Sequence, residues 1–125
     1  MIYGIGTDIC DIRRIDKIYK RFGTRFVTKI LSEKEERHMP SAGLVPWLAK
    51  RFAAKEATAK AMGTGFSEGV TFKDVAIIND AKGRPEVFLS AKAKNTLPQG
   101  SRAFVSLSDE KGYAIAFVVI EQEFK

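Results

Sequence analysis

The chain has 125 residues, 45% hydrophobic and 29% charged, enough for one real core and too ordinary a balance for disorder. No apolar run approaches the roughly 18 residues of a membrane span, and Asp8 and Asp11 interrupt the start where a signal peptide would be apolar; we expect one cytoplasmic domain over residues 1–125. The net charge of +6 points to an anionic partner: nucleic acid, an anionic lipid surface, an acidic protein or a phosphorylated ligand.

Ile2 to Ile9 reads as a strand. Tyr3, Ile5, Thr7 and Ile9 share one face; Ile2, Gly4, Gly6, Asp8 and Cys10 share the other. The second face is stripped of bulk beside Asp8, so a ligand or another backbone, such as a packed helix, can approach closely. Cys10 is the lone cysteine, which excludes an intrachain disulfide framework and a cysteine-based zinc site. It reads as a small buried apolar thiol. The lone histidine, His38, lies in the polar stretch Glu33 to His38, read as a solvated helix face. Cysteine nucleophiles and histidine metal sites thus have little support.

Ile12, Ile15, Ile18, Tyr19 and Phe22 fall at helical spacing. Arg13, Arg14, Lys17, Lys20 and Arg21 lie between them and give the helix a basic outer face. Phe26, Val27, Ile30 and Leu31 imply another turn or two of helix, and Ser32 with Glu35 fits a capping box before a short helix that Pro40 ends. Leu44 to Met62 is the longest helix, with Gly63 as its stop. At about 100° per residue, Leu44, Leu48, Phe52, Ala59 and Met62 form an apolar stripe. Lys55 falls inside that stripe, where an ammonium is unfavourable unless it finds an anion or reaches outward. Glu56 lies at the edge, beside Phe52 and Lys60; an intrahelical Glu56–Lys60 pair would contribute only about 0.2–0.5 kcal/mol.

Gly63, Gly65 and Gly69 make a glycine-rich loop, followed by β-like sequence from Phe72 to Asn79, a turn through Gly83 to Pro85, and a short strand Glu86 to Leu89. Ser90 to Leu97 reads as a short helix, and Arg102 to Ser108 with Gly112 to Ile120 as a hairpin. Tyr113 to Ile120 is apolar at every position, as in a strand covered on both faces by its own helices or by a neighbouring subunit. The mixed order gives an α+β fold, helices packed on a mainly antiparallel sheet.

Asp8 and Glu56 are two carboxylates in unusual settings, with lysines and glycine turns nearby. Mg²⁺ takes one or two carboxylates and leaves places for water and substrate phosphate, which such a pair would suit. Gly4-Ile5-Gly6-Thr7-Asp8-Ile9 with Arg14-Ile15, then Arg51-Phe52-Ala53-Ala54-Lys55-Glu56-Ala57 with Lys60 and Gly63-Thr64-Gly65, closely resemble the holo-acyl carrier protein synthases, the small 4′-phosphopantetheinyl transferases. The turn from Asn79 to Pro85 resembles that family's Asn…Gly-Lys/Arg-Pro turn. The resemblance runs from about Ile2 to Ile120.

It implies transfer of phosphopantetheine from coenzyme A to a serine of apo-acyl carrier protein, releasing 3′,5′-ADP, in support of fatty acid biosynthesis. By the resemblance Asp8 and Glu56 hold Mg²⁺, Glu56 and Lys60 are catalytic, and Lys60 stabilises charge on the pyrophosphate. Arg51, Lys55, Lys60, Gly63, Gly83 and Pro85 would bind coenzyme A, and Arg14 the carrier protein. Either Glu56 or a metal-bound water would accept the serine proton. A homotrimer with sites between subunits is also implied, without membrane or nucleic acid. Many members carry histidines in the penultimate strand and its turn; here the stretch is Phe104-Val105-Ser106-Leu107-Ser108-Asp109, so no role of those histidines carries over.

Two other classes compete with this one. A nucleic-acid-binding module could use the basic helix, but its aromatic residues fall on the apolar stripe and no reading motif is present. A purely structural trimer explains the apolar strand and leaves Asp8, Lys55 and Glu56 without a task.

Overall fold

A computed structural model describes residues 1–123; the last two positions of the expected 1–125 domain lie outside the described residues. Strand β1 is Ile2–Asp11, followed by helices α1 (Ile12–Phe22), α2 (Thr24–Ile30), α3 (Glu33–Glu36) and α4 (Leu44–Met62). Then come β2 (Val75–Asn79), β3 (Pro85–Leu89), α5 (Ala91–Lys94), β4 (Arg102–Glu110) and β5 (Tyr113–Glu121). The expected α+β architecture is observed. One antiparallel sheet has the order β1-β5-β4, and β2 and β3 form a second, two-stranded one. Two expectations shift locally. The β-like segment opens with a 3₁₀ turn at Phe72–Asp74, where Thr71 and Asp74 form a reciprocal capping box, and the helix after β3 is only Ala91–Lys94, capped by Ser90.

Helix α4 lies across the inner face of the three-stranded sheet, and small residues let it come close. Ala114, Ala116, Val118 and Ile120 of β5 face it and are fully buried, as are Ala53, Ala54 and Ala57 on the helix. A Cβ at Gly4 would collide with the Ala61 carbonyl oxygen, and one at Gly6 with that of Ala57. The stripped face of β1 therefore receives a helix backbone. Because backbone cannot swing aside as a side-chain tip can, Gly6→Ala should destabilise the protein by ~3 kcal/mol, the upper end of overpacking effects, measured as a lowered denaturant midpoint. A change below 1 kcal/mol would mean the helix is free to back away.

The other face of the sheet is bare. Along one cross-strand row stand Ile5, Val119 and Phe104; along the next, Thr7, Phe117 and Ser106; along a third, Ile9, Ile115 and Ser108. Ile5 is 60% exposed, Ile9 63% and Phe117 46%. Within one copy the uniformly apolar β5 is thus covered on one side only. Among the described residues no helix is long and apolar enough to cross a membrane.

Candidate functional site

The inner face of β1 alternates Gly4, Gly6, Asp8 and Cys10, so the pleat that admits α4 also aims Asp8 at it. Its partner across the ladder is Ala116, too small to screen the carboxylate. On α4, Glu56 and Lys60 are one turn apart and share the face toward β1. Lys60 reaches across to β1, donating to Asp8 Oδ1 at 3.1 Å and to the Thr7 carbonyl at 3.0 Å. The intrahelical Glu56–Lys60 pair is therefore not formed. Glu56 has no hydrogen bond or ion pair among the described residues and is half-buried.

Partial burial pushes the Glu56 carboxyl above the usual carboxylate range; the Asp8 charge adds to this, while Lys60 and Arg14 oppose it. Arg14 comes from α1, with its guanidinium 5.6 Å above the Phe52 ring, one turn of α4 before Glu56. The structure thus brings Asp8, Arg14, Glu56 and Lys60 together from three elements. Immediately after Lys60, α4 ends at Gly63 in the left-handed region at φ 83°, which favours glycine. Its N–H donates to the Lys60 carbonyl, and Gly65 N–H to that of Ala59, which roots the glycine-rich loop beside Lys60.

The donor set suits a hard cation. Two carboxylates, one of them unpaired and raised in pKa chiefly by burial and further by the other's charge, are relieved by a divalent ion that accepts oxygen ligands. Among the described residues there is no group of three or more His, Cys, Asp or Glu placed to hold a metal; Asp8 and Glu56 are a pair, the number Mg²⁺ commonly takes from protein. In the metal-free chain this shift ties stability to pH. A carboxyl whose folded pKa is raised costs no stability below its ordinary value, near 4.5. The penalty grows as pH rises from there to the folded pKa, then stays constant. Glu56→Gln should therefore raise the melting temperature in chelator at pH 7 and lose that advantage at pH 4. Equal melting temperatures at pH 7 would show that Glu56 carries no such penalty.

Four expected ligand residues sit elsewhere. Lys55 is fully buried on a different face of α4. Its ammonium donates to Glu35 Oε1 at 2.6 Å, to the Phe72 carbonyl at 2.8 Å and to the Val75 carbonyl at 2.6 Å. With all three hydrogens taken, it has none left for coenzyme A, and that expectation is corrected. The stretch Glu33 to His38 is exposed as expected except at Glu35, which is fully buried. Arg51, one turn before Lys55, is also buried; its guanidinium lies 4.5 Å over the Trp47 ring and donates to Asn79 Oδ1, while its Nε lacks a partner. Gly83 and Pro85 shape the β2–β3 turn, where Asp80 Oδ1 accepts the Lys82 and Arg84 N–H groups. Among the described residues no hydrogen bond or ion pair joins Gly83 or Pro85 to the Asp8–Lys60 cluster.

Sequence reasoning missed Glu35. Its capping box with Ser32 was legible and is present, and that box by itself gives the carboxylate a local partner. The signal was on the other partner: Lys55 inside an apolar stripe had either to find an anion or to reach outward, and Glu35 is the anion. Cys10 is buried as expected, its thiol pushed up chiefly by that burial.

A sequence profile of the 4′-phosphopantetheinyl transferase superfamily matches residues 4–118. A holo-acyl-carrier-protein synthase from Neisseria meningitidis serogroup C is 50% identical over 125 residues, covering 98% of this chain and 100% of that protein. The crystal structure of a synthase of that name from Neisseria meningitidis superposes with a TM-score of 0.90 at 47% identity, over 98% of this chain and 100% of the other. A Helicobacter pylori holo-acyl-carrier-protein synthase in complex with coenzyme A gives 0.83 at 34% identity, over 94% and 99%.

Proposed function

The chain belongs to the 4′-phosphopantetheinyl transferase superfamily, and within it to the holo-acyl-carrier-protein synthases; on that premise we propose that it transfers 4′-phosphopantetheine from coenzyme A to a serine of apo-acyl carrier protein, releasing 3′,5′-ADP. The observation that carries this reading is the convergence of Asp8, Glu56, Lys60 and Arg14 beside a glycine loop. The reaction breaks the pyrophosphate bond on the side of the transferred phosphate and forms a phosphodiester to the serine oxygen. The protein's task is therefore positioning and charge neutralisation more than covalent chemistry.

Asp8 and Glu56 would hold the Mg²⁺. When bound, the ion supplies Lewis-acid neutralisation of pyrophosphate charge. Lys60, 55% exposed and able to swing from Asp8, meets the charge that develops on the leaving 3′,5′-ADP. Glu56, half-buried and without a hydrogen-bond partner among the described residues, takes the serine proton. Gly63 leaves room for phosphate at the end of α4, and Arg51, Gly83 and Pro85 remain proposed contacts to coenzyme A.

The protein works in the cytoplasm, in fatty acid biosynthesis, as one domain over residues 1–125. Three copies associate through the exposed apolar face around Ile5, Ile9, Phe104, Ile115 and Phe117, since a contiguous bare apolar face marks an interaction surface. A site between subunits also lets the Gly83–Pro85 turn, which has no bond to the cluster within one copy, meet the same ligand. Incubation with coenzyme A, Mg²⁺ and an apo-carrier protein tests the reading: the carrier should gain one phosphopantetheine by intact mass. A carrier of unchanged mass, with a known synthase active in the same mixture, refutes it.

Carrier docking adds a prediction. Arg14 stands at the edge of the cluster on α1, with Arg13, Lys17, Lys20 and Arg21 on the same helix, a face suited to steering an acidic protein. Arg14→Glu should raise KM for the carrier on the order of tenfold, with coenzyme A affinity nearly unchanged. Wild-type KM should rise with salt, since exposed charges are screened beyond about 8 Å at physiological ionic strength. Indifference to both the mutation and the salt would move docking to another surface.

A further inference from the structure

The buried pair Lys55–Glu35 has no place in the mechanism above, yet it is the most completely bonded polar group in the core. Besides Lys55, Glu35 Oε1 accepts the Ser32 N–H at 2.9 Å, and Oε2 accepts the Ile77 N–H at 2.9 Å. The two side chains are fully buried, so they tie α3, α4, the 3₁₀ turn and β2 together at one point.

What they tie is the far end of the glycine loop. The loop leaves α4 at Gly63, held by the Lys60 and Ala59 carbonyls, and returns to regular structure at Phe72. Phe72 is held to α4 twice. Its carbonyl accepts from Lys55, and its ring stacks on Phe52 at 5.4 Å, with Phe66 of the loop against it at 4.2 Å. Both ends of residues 63–72 are thus referenced to the helix that carries Glu56 and Lys60. Apolar contact alone would tolerate sliding; an ammonium with three fixed acceptors does not, because any shift strands a buried charge.

We propose that Lys55 and Glu35 are positioning residues for coenzyme A: they hold the glycine loop in the shape that receives the ligand beside Lys60, without touching the ligand. This rests on the transferase reading, and deepens it. A role confined to the fold predicts changed stability alone. A positioning role predicts a split, with binding of coenzyme A weakened, turnover at saturation nearly kept and carrier KM unchanged.

The test compares wild type with Glu35→Gln/Lys55→Met, which removes both charges at similar volume, and with Lys55→Arg, which keeps the charge but not the compact ammonium that bonds both carbonyls. Thermal unfolding, kcat, both KM values, coenzyme A binding by calorimetry and hydrogen exchange of residues 63–72 are measured for each. We expect KM and Kd for coenzyme A to rise at least tenfold in the double variant and less in Lys55→Arg. kcat should stay within threefold, and exchange should quicken in the loop while the three-stranded sheet stays protected. A folded variant of either kind with coenzyme A affinity within twofold of wild type overturns the proposal, as does an equal fall in every parameter. If wild type itself neither binds coenzyme A nor modifies the carrier, the functional reading fails and this proposal falls with it. Normal wild-type activity beside a variant of unchanged affinity sinks this proposal alone.

Discussion

Alanine at Asp8 or at Glu56 is expected to lower transfer by about a thousandfold or more, the loss of several kcal/mol of charge stabilisation at the pyrophosphate, while the protein stays folded. Each residue supplies one of only two carboxylates at the site, and neither supports the core. Asp8 is paired with Lys60, which is more than half exposed, and such pairs contribute at most about 1 kcal/mol. Glu56 is unpaired among the described residues. In chelator at pH 7 the Asp8 variant should therefore melt near the wild-type temperature and the Glu56 variant at or above it, and Mg²⁺ should stabilise wild type more than either. Near-normal turnover of either variant at low Mg²⁺ would show that the metal site has been placed wrongly.

Lys60→Ala should lower kcat by about 100-fold or more, in line with removing one preorganised donor from a site where negative charge develops. The larger share should fall on kcat, because charge on the leaving pyrophosphate is greatest in the transition state. Lys60 also bridges α4 to β1 in the free chain, through Thr7 and Asp8, and this bridge is the competing explanation. The two roles separate cleanly. Unchanged turnover with a lowered melting temperature would make Lys60 a tie between helix and strand, whereas lost turnover at normal stability makes it a catalytic cation.

Much of the fold was legible because local chemistry and tertiary structure agree along most of the chain. Helix α1 has the bounds its apolar spacing predicts, and α4 runs from Leu44 to the glycine stop at Gly63. The capping box at Ser32 and Glu35 and the final hairpin are local patterns that need no distant partner to be read. At the site, Asp8, Glu56, Lys60 and Arg14 were singled out from residue type and resemblance, and the fold gathers them. The pairing inside the cluster was not legible. Helical spacing offers Lys60 to Glu56, but the close approach of β1 places Asp8 and the Thr7 carbonyl within reach instead.

The sequence by itself determined most of the elements, the class of fold, the family, and the need of Lys55 either for an anion or for a way outward. Periodicity, capping and charge compatibility act over a few residues, and a buried ammonium is unfavourable wherever it sits. Only the tertiary structure decided which groups answer one another. Glu35 is 20 residues from Lys55, and nothing in either segment names the other; α3 and α4 must first pack before the carboxylate and ammonium can meet. The same packing settled whether Gly4 and Gly6 admit a ligand or a helix, and left Lys55 without a hydrogen for coenzyme A. Such long-range choices depend on distances set by the whole core, which no local stretch of sequence encodes.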